Sequence, residues 1–295
     1  VIAHVILGFP GETKEMMKDT VRHVAALPVS GIKLQLLPVL RAHLPASWQT
    51  LRYYEPFLGA GALLFSLSPR RAVVNDANQQ LIQTYQALKQ SCEEVIALLE
   101  EHREYHCQEY YYQIREMDRD SGFETLPAAV KAARLIYLNK TCFNGLHRVN
   151  NQGWFNVPYG RYVNPAICEA DVLRSVGDYL RRNNITLRSG DFAAAVRGAR
   201  RDSFVYFDPP YHSPDNANFT SYQANTFGET EQRRLRDTFA ALTRRGVPCL
   251  LSNSDTAFIR HLYDGYHIDT IQARRAINSD ATQRGAVNEV LIWNW

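Results

Sequence analysis

The hydrophobic pattern alternates between strand-like and helix-like stretches over most of the chain. Short apolar runs that end in glycine, proline or polar residues predict strands at LRYYEP, RRAVVND, ITLRSG, FVYFDPP, PCLLSNSD and EVLIWNW. Longer amphipathic stretches between them, such as ETEQRRLRDTFAALTRRG, predict helices. Strands that alternate with helices in this way are typical of an open α/β sheet.

The middle of the chain has a different pattern. From Leu81 to about Met117, and again in PAAVKAARLIYLNK, the apolar residues have helical spacing. The next stretch, TCFNGLHRVNNQGWFNVPYGRYVNP, has no helical period and is rich in Asn, Gly, Arg and aromatic residues. We therefore predict a mainly helical second domain at residues 80–165. It is inserted into a sheet domain formed by residues 31–79 and 166–295.

The composition narrows the class of protein. No stretch approaches the roughly 20 apolar residues of a membrane span. The first residues, VIAHVILGFPGE, lack the basic start and the small-residue cleavage site of a secretory signal. The five cysteines are scattered and form no CxxC pair, which favours reduced intracellular thiols over a disulfide framework.

The net charge of +3 is small, but the arginines occur in pairs. The doublets are Arg70–Arg71, Arg181–Arg182, Arg200–Arg201, Arg233–Arg234, Arg244–Arg245 and Arg274–Arg275. A surface that gathers several of them would neutralise the phosphates of a nucleic acid. Any single doublet is explained equally well by a solvent-exposed helix end.

Polar and glycine residues follow three of the predicted strands. Gly59 and Gly61 lie between the first strand and a helix. The second strand ends in Asn75-Asp76, where an acid can bind a ribose diol. The predicted strand FVYF is followed by DPPY, residues 208–211. Ligands bind beyond the carboxyl ends of the strands in an open α/β sheet, so three such ends in order predict an active site. A tight turn is the alternative for each one alone.

Six segments, taken in order, resemble the DNA adenine-N6 methyltransferases that modify GATC. They are EPFLGAGALLF, VVNDANQQLIQTYQALK, FNGLHRVNNQGWFNVPYGRY, SGDF, FVYFDPPY and LSNSD, and the similarity extends from about residue 31 to residue 295. The resemblance implies a Rossmann-like methyltransferase sheet with an inserted DNA target-recognition domain. It also implies S-adenosyl-L-methionine as the cofactor, double-stranded DNA as the substrate, and a monomeric, cytoplasmic protein of bacterial or phage origin.

The resemblance assigns cofactor contacts. Gly59 and Gly61 would pass under the methionine portion, Asp76 would hold the ribose hydroxyls, and Asp191 with Phe192 would bracket the adenine. The full set of positions expected to contact the cofactor is Lys33, Glu55, Phe57, Gly59, Gly61, Asp76, Asp191, Phe192 and Asp208.

The DPPY segment would activate the target amine, whose lone pair is delocalised into the adenine ring. The Asp208 carboxylate and the Pro209 carbonyl can accept both amino protons and so free the lone pair for attack on the methyl group. Pro209 and Pro210 fix the backbone, and Tyr211 offers a flat face to a base flipped out of the duplex. The same motif occurs in enzymes that methylate glutamine or cytosine amines, so by itself it specifies amino-group methylation only.

The residues around FNGLHRVNN are expected to read DNA. Arg148 is suited to a bidentate contact with guanine, and Asn144 and Asn150 are suited to adenine edges or phosphates. Phe143 matches an aromatic residue that, in the family, slips into the duplex.

Three further positions complete the expected DNA contacts. Leu146 and Pro158 match residues that touch the thymine methyl group, and Tyr162 matches a residue near the outer base pair. The alternative is that the polar groups of this loop only satisfy one another.

Two other clusters in the helical region receive structural interpretations. His102 and His106 are four residues apart on a predicted helix but lack a third ligand, so we expect solvated helix residues and no metal. The tyrosines at 110–112 are expected to pack and not to stack on bases.

The chain departs from the family at its start. The family opens with Lys-Trp, a small residue and Gly-Gly-Lys, whereas residues 28–33 here read PVSGIK, so only Gly31 and Lys33 match. Residues 1–30 instead resemble a foreign β-α-β portion of a radical S-adenosylmethionine enzyme, without its iron–sulfur cysteines. Val29 in place of tryptophan removes an aromatic face over a cationic ligand, worth about 0.5–2 kcal/mol. The alternative to an active enzyme is therefore a DNA-binding protein with impaired catalysis.

Overall fold

The computed structural model describes residues 31–213, 227–274 and 286–295, but not the side chains of residues 31–35, 273–274 and 286–287. The predicted foreign segment at residues 1–30 lies outside the described residues. Within them, seven strands form one sheet in the order β3-β2-β1-β4-β5-β7-β6. The strands are β1 Arg52–Glu55, β2 Arg71–Asp76, β3 Asn184–Ser189, β4 Ser203–Phe207, β5 Cys249–Ser254, β6 His267–Arg274 and β7 Ala286–Trp293.

The sheet is mixed. Strands β1 to β5 are all parallel, and β7 runs antiparallel to both β5 and β6. The predicted α/β class and the six predicted strands are confirmed. Strand β6 was missed by the sequence analysis. It pairs with β7 alone, at the end of the sheet.

The helices follow the predicted amphipathic stretches. The described helices are α1 Gly31–Ala42, α2 Ala62–Leu67, α3 Gln79–Glu104, α4 Gln108–Glu116, α5 Ala128–Thr141, α6 Ala170–Arg182, α7 Phe192–Ala195, α8 Glu229–Arg244 and α9 Ala257–Leu262. Helix α1 contains Pro38, and its buried residues Leu36 and Leu40 face the core. No helix of the described residues is long and apolar enough to cross a membrane.

Two hydrophobic clusters cover the two faces of the sheet. One contains Val205 and Phe207 of β4 with Phe239 of α8. The other runs without a break from Val74 of β2 to Tyr111 of α4. The helical region therefore shares one core with the sheet. The domain boundaries at residues 80 and 165 stay a prediction.

The parallel strands give the sheet two distinct edges. We call the edge at the carboxyl ends of β1 to β5 the carboxyl edge, and the opposite one the amino edge. The strand order reverses between β1 and β4, and open α/β sheets bind their ligands at such a reversal, beyond the carboxyl ends. Tyr54 of β1 pairs with Val205 of β4. Three residues further along each segment, Phe57 therefore lies level with Asp208. The glycine loop and the DPPY segment are thus neighbours.

Candidate active site

The glycine loop after β1 is fixed against the end of β2. Gly59 and Gly61 have φ values of +48° and +66°, in the left-handed region that glycine adopts without strain. The Gly59 N–H donates to Asp76 Oδ2 at 2.9 Å, and the Tyr85 hydroxyl donates to the Gly59 carbonyl at 3.0 Å. A Cβ on Gly59 would meet no atom within 4 Å, so the loop exposes bare backbone to open space.

Asn75 joins three loops of the carboxyl edge, a role that the sequence analysis missed. It is only 3% exposed, and its Nδ2 donates to the carbonyls of Pro56 and Gly190, both at 3.0 Å. The Gly190 N–H in turn donates to the Asp76 carbonyl at 3.0 Å. The ends of β1, β2 and β3 are therefore held together by one buried amide. The signal was a polar residue inside an otherwise apolar strand.

An aromatic cluster lies beside the glycine loop. The rings of Phe57 and Phe192 stack with centroids 5.2 Å apart, and Phe227 packs edge-on against Phe57 at 5.5 Å. Arg234 of α8 pairs with Asp191 and lies 4.5 Å above the Phe192 ring. The sequence analysis did not single out Arg234 for this place.

Asp191 is held as a carboxylate. Its Oδ1 accepts the Ala194 N–H at 2.9 Å and caps α7. Partial burial works to raise the pKa of Asp191, but the hydrogen bonds from Arg234 and the α7 backbone outweigh it, so the pKa is lowered overall.

Asp208 follows β4 and is half-buried at the carboxyl edge. Its Oδ1 accepts a hydrogen bond from Ser252 Oγ at 3.0 Å. Ser252 in turn lies 3.1 Å from the hydroxyl of the buried Tyr206. This chain fixes the carboxylate orientation from beneath the sheet edge.

The rest of the DPPY segment is held by side chains from two other elements. Gln232 of α8 donates to the Pro210 carbonyl at 2.8 Å and accepts from Asn253 Nδ2 at 3.1 Å. Asn253 Oδ1 accepts the His212 N–H at 3.0 Å. Both Gln232 and Asn253 are fully buried. The backbone beyond the two prolines is therefore fixed by buried amides, which matches the predicted rigid turn.

Tyr211 is oriented by β7. Its hydroxyl donates to Glu289 Oε2 at 3.1 Å, and Glu289 is 3% exposed. Burial, followed by the nearby Glu289 carboxylate, raises the pKa of Tyr211 well above its ordinary value. The phenol therefore stays neutral, and its ring direction is fixed.

Two predicted cofactor positions need separate mention. Glu55 is 2% exposed and accepts the Tyr53 hydroxyl at 2.9 Å, so its carboxylate lies beneath the glycine loop. Lys33 lies in α1, where the structure describes the backbone but not this side chain. The other predicted cofactor positions gather at the carboxyl edge, together with Asp208.

The residues expected to read DNA lie on one surface hairpin, residues 142–160. Two antiparallel bridges join its arms, Cys142 to Tyr159 and Val149 to Phe155. Asn144 is left-handed, with φ +54°, and with Gly145 it opens the hairpin by a tight turn. Residues 142–160 contain one short 3₁₀ helix, Phe143–Gly145, and no α-helix, which agrees with the predicted lack of a helical period.

The hairpin presents an aromatic and polar surface. Phe143 is 49% exposed. Arg148 is exposed, and its Nε donates to Asn156 Oδ1 at 2.7 Å. Asn150 Oδ1 accepts the N–H groups of Gln152 and Trp154, both at 3.0 Å. Internal hydrogen bonding therefore orients Arg148 and closes the hairpin tip at Asn150.

The remaining predicted DNA contacts lie along the hairpin and just beyond it. Leu146 is half-buried against the core, and Pro158 is exposed with its carbonyl accepting the Phe143 N–H at 2.9 Å. Tyr162 is half-buried beside Gly160. A Cβ on Gly160 would lie 2.6 Å from the Tyr162 ring and 2.7 Å from the Cys142 carbonyl, so only glycine fits there.

The comparison with known proteins decides the family. The sequence profile of the D12 class N6 adenine-specific DNA methyltransferases matches residues 30–277. The chain belongs to this family. It is an adenine-specific DNA methyltransferase, with S-adenosyl-L-methionine as its methyl donor and DNA as its substrate. The resemblance found in the sequence is confirmed.

Relatives match over nearly the whole chain. The type II methyltransferase M1.LlaDCHI of Lactococcus lactis subsp. cremoris is 40% identical over 267 residues, covering 90% of this chain and 93% of the relative. M.MjaIII of Methanocaldococcus jannaschii is 35% identical, with coverage of 90% and 97%. The DNA adenine methylase of Escherichia coli K12 is 33% identical, with coverage of 90% and 94%.

A solved structure, the rRNA methyltransferase aviRa from Streptomyces viridochromogenes, covers 93% of this chain and 84% of its own length. It has 12% identity and a TM-score of 0.35, which is too low to establish a shared fold.

A buried ion pair anchors the hairpin of this methyltransferase. Arg134 of α5 lies 2.9 Å from Asp118, and their side chains are 2% and 5% exposed. Asp118 Oδ2 also accepts the Phe155 N–H at 2.7 Å, opposite Val149. Arg134 donates to the Ile114 carbonyl at 2.8 Å. The sequence analysis missed this anchor, and its only signal was an arginine on the apolar face of a helix.

The histidines and tyrosines of the helical region form a packed cluster in the methyltransferase. His102 Nδ1 lies 2.7 Å from the Tyr110 hydroxyl, and His106 Nδ1 lies 2.9 Å from the Tyr137 hydroxyl. His102 is 8% exposed, so the expectation that it is solvated is wrong, and burial lowers the pKa of His102 to about 4. Tyr111 is fully buried, so the packing prediction is confirmed for it. The described residues contain no group of three or more side chains placed to hold a metal ion.

Proposed function

We propose that the protein methylates N6 of adenine within GATC in duplex DNA, and that the target base is flipped out of the helix. The observation behind the proposal is the placement of Asp208 at the strand reversal, level with the glycine loop and fixed by Ser252. The helical region at residues 80–165 serves as the target-recognition domain in this proposal.

The carboxyl edge fits S-adenosyl-L-methionine. The open backbone at Gly59 leaves room for its methionine portion, and Asp76 beside it suits the ribose hydroxyls. The aromatic cluster of Phe57 and Phe192 offers an apolar face to a flat purine. When bound, the cofactor supplies an electrophilic methyl group on a sulfonium sulfur.

Asp208 and the Pro209 carbonyl activate the adenine amine. Ser252 occupies Asp208 Oδ1 from beneath, so the carboxylate is preorganised toward the reacting amine. Acceptance of both amino protons would localise the nitrogen lone pair, so that the amine could take up the methyl group that the cofactor supplies. Asp208 would stabilise the positive charge that develops on the nitrogen and accept the proton that the methylated amine releases. Tyr211, oriented by Glu289, stacks on the flipped base.

The 142–160 hairpin reads the DNA. Arg148 is preoriented by Asn156 and suits the two acceptors on the major-groove edge of guanine. The half-exposed Phe143 fills the space that the flipped adenine leaves in the base stack. Asn144 and Asn150 contact adenine edges or phosphates, Leu146 and Pro158 the thymine methyl group, and Tyr162 the outer pair.

The test is methyl transfer from labelled cofactor to matched duplexes. One duplex contains a single GATC, and the others change one base of that site at a time. We expect transfer to GATC and a rate at least about tenfold lower for each variant, since a lost bidentate contact costs about 1–3 kcal/mol. Equal rates on all duplexes would refute the GATC assignment.

The impaired-catalysis alternative rests on the altered residues 28–32, of which residues 28–30 lie outside the described part of the chain. A calorimetric titration with S-adenosyl-L-methionine separates the two functions. Binding together with methyl transfer supports the enzyme. DNA binding without detectable cofactor binding supports the alternative.

A further inference from the structure

Most of the arginine doublets gather at the amino edge, away from the candidate active site. Each of five neighbouring strands has arginines at or just before its start. In spatial order from β3 through β2, β1 and β4 to β5, they are Arg181–Arg182, Arg70–Arg71, Arg52, Arg200–Arg201 and Arg244–Arg245. Parallel strands bring these separate stretches of sequence to one side of the sheet.

Contacts between the doublets make the row continuous. The Asn184 N–H donates to the Arg70 carbonyl at 3.0 Å and joins the starts of β2 and β3. A Cβ on Gly246 would lie 3.1 Å from Arg201 Nε, so the segments before β4 and β5 also touch. The arginines therefore lie along one edge and are not scattered over the surface.

The row has a strong positive excess. Of its nine arginines, seven are exposed and the other two, Arg52 and Arg245, are half-buried. The acids near this edge include Asp178, Asp202 and Asp264, and Glu93 interacts electrostatically with Arg181. Asp178 pairs with both Arg181 and Arg182, so the free charge lies mainly toward β2, β4 and β5.

The dimensions fit a nucleic acid backbone. Five neighbouring strands span about 19 Å, at about 4.8 Å per strand. Phosphates of one strand of B-DNA rise 3.4 Å each along the helix axis, so the row is as long as about six nucleotides, or about half a helical turn. Arginine is the side chain best suited to phosphate, since its planar guanidinium donates two parallel hydrogen bonds.

The amino edge cannot share the DNA held at the carboxyl edge. Strand β2 has six residues, and a strand of that length separates the two edges by roughly 20 Å. A straight duplex at the carboxyl edge would not reach round to the other side. We propose that the amino edge is a second DNA-binding surface, which holds the backbone of another duplex segment without reading its sequence. DNA is favoured over other polyanions because it is the enzyme's substrate and surrounds it during the search for a site.

The test compares DNA binding by two variants. One loses arginines of the amino-edge row, and the other loses the same number of arginines elsewhere on the surface. One variant carries Arg70→Gln and Arg200→Gln, both exposed and in two different doublets. The control carries Arg174→Gln and Arg260→Gln, also exposed but on α6 and α9, outside the proposed target-recognition domain. Both lose two positive charges.

The measurement is binding of a 20-base-pair duplex without GATC over a series of salt concentrations. We expect the magnitude of the slope of log K against log salt to fall by about 2 for the amino-edge variant, at about 0.9 per lost phosphate contact. The control should keep the parental slope. Methylation of a short GATC duplex should be unchanged in both, because neither touches the carboxyl edge. Equal loss of DNA affinity in both variants would overturn the proposal.

A second readout locates the DNA directly. Phenylglyoxal modifies exposed arginines, and mass spectrometry identifies each modified site. In the parent protein, the non-target duplex should protect Arg70, Arg200 and Arg244 but leave Arg174 and Arg260 reactive. Unprotected amino-edge arginines, or tighter binding of an RNA duplex of equal length, would overturn the assignment to DNA. Neither readout depends on whether the enzyme prefers GATC.

Discussion

The two edges of the same five parallel strands have opposite chemistry. At the carboxyl edge, Glu55 and Asp76 are 2% and 8% exposed, and Asp208 is hydrogen-bonded from beneath by Ser252. At the amino edge, arginines such as Arg70 and Arg200 extend into solvent. This difference in burial and hydrogen bonding follows from the function proposed for each edge. Catalysis requires groups fixed before the reaction, whereas attraction of a polyanion tolerates mobile, solvated charges.

The two edges also differ in how their loops are held. At the carboxyl edge, the buried amides of Asn75, Gln232 and Asn253 bind loop carbonyls and N–H groups. At the amino edge, the described contacts are mainly backbone bonds and arginines that cap carbonyls, such as Arg245 to Arg197 at 3.0 Å. Substitutions at the carboxyl edge should therefore change rates, and those at the amino edge should change affinity for DNA.

The largest contrast should come from the two aspartates that flank β4. Asp208→Ala should lower the methyl-transfer rate by about 10²–10³, because it removes a preorganised acceptor. Asp202→Ala, at the other end of the same strand, should leave the rate unchanged. Single-turnover assays on one duplex, with circular dichroism to verify folding, make the comparison. A near-parental rate for the Asp208 variant would remove that residue from the reaction.

Arginines on the hairpin and at the amino edge should affect different quantities. Arg148→Ala should reduce discrimination between GATC and its guanine–cytosine variants by about 1–3 kcal/mol, roughly 5- to 150-fold. Arg70→Ala should leave this discrimination and the methylation of a short GATC duplex unchanged, and should weaken only the binding of a further, non-target duplex. The measurement is kcat/KM on GATC and on each single-base variant. A discrimination ratio that Arg148→Ala leaves intact excludes this residue from base readout.

A smaller effect is expected beneath Asp208. Ser252→Ala removes a hydrogen bond to a charged group, worth at least about 1.5 kcal/mol, and should slow methyl transfer by about tenfold. Affinity for the cofactor and for DNA should stay the same, since the serine touches neither. Ser175→Ala, on the exposed surface of α6, is the matched control. If both serine variants kept the parental rate, Asp208 would not depend on Ser252 for its orientation.

The smallest effect concerns residues 28–32 and is predicted from the sequence alone. Replacement of these residues by Lys-Trp-Ala-Gly-Gly should tighten S-adenosyl-L-methionine binding several-fold. The aromatic face restored over the cationic ligand is worth about 0.5–2 kcal/mol. Calorimetric titration of the parent and the repaired protein measures the change. Identical dissociation constants would mean that the altered start does no harm.

Much of the fold and of the site was predictable because its signals are local. Hydrophobic periodicity revealed six of the seven described strands, and strand ends followed by Gly59, Asp76 and Asp208 predicted the carboxyl edge. Strand β6 was missed because the apolar residues of its sequence, HIDTIQAR, neither form a run nor alternate regularly with polar ones. It is the last strand of the sheet, and none of the side chains of residues 267–272 is fully buried.

The sequence by itself determined the α/β class, the DPPY motif and the candidate readers on the hairpin, since each depends on neighbouring residues. Only the tertiary structure decided which distant side chains hold them. Ser252 reaches Asp208 across 44 residues, and Glu289 reaches Tyr211 across 78. It also placed most arginine doublets at the amino edge, because parallel strands align their starts on one side. Hydrophobic periodicity shows which residues of a chain are buried, but it does not show which buried groups contact one another. Those contacts depend on the order and register of the strands.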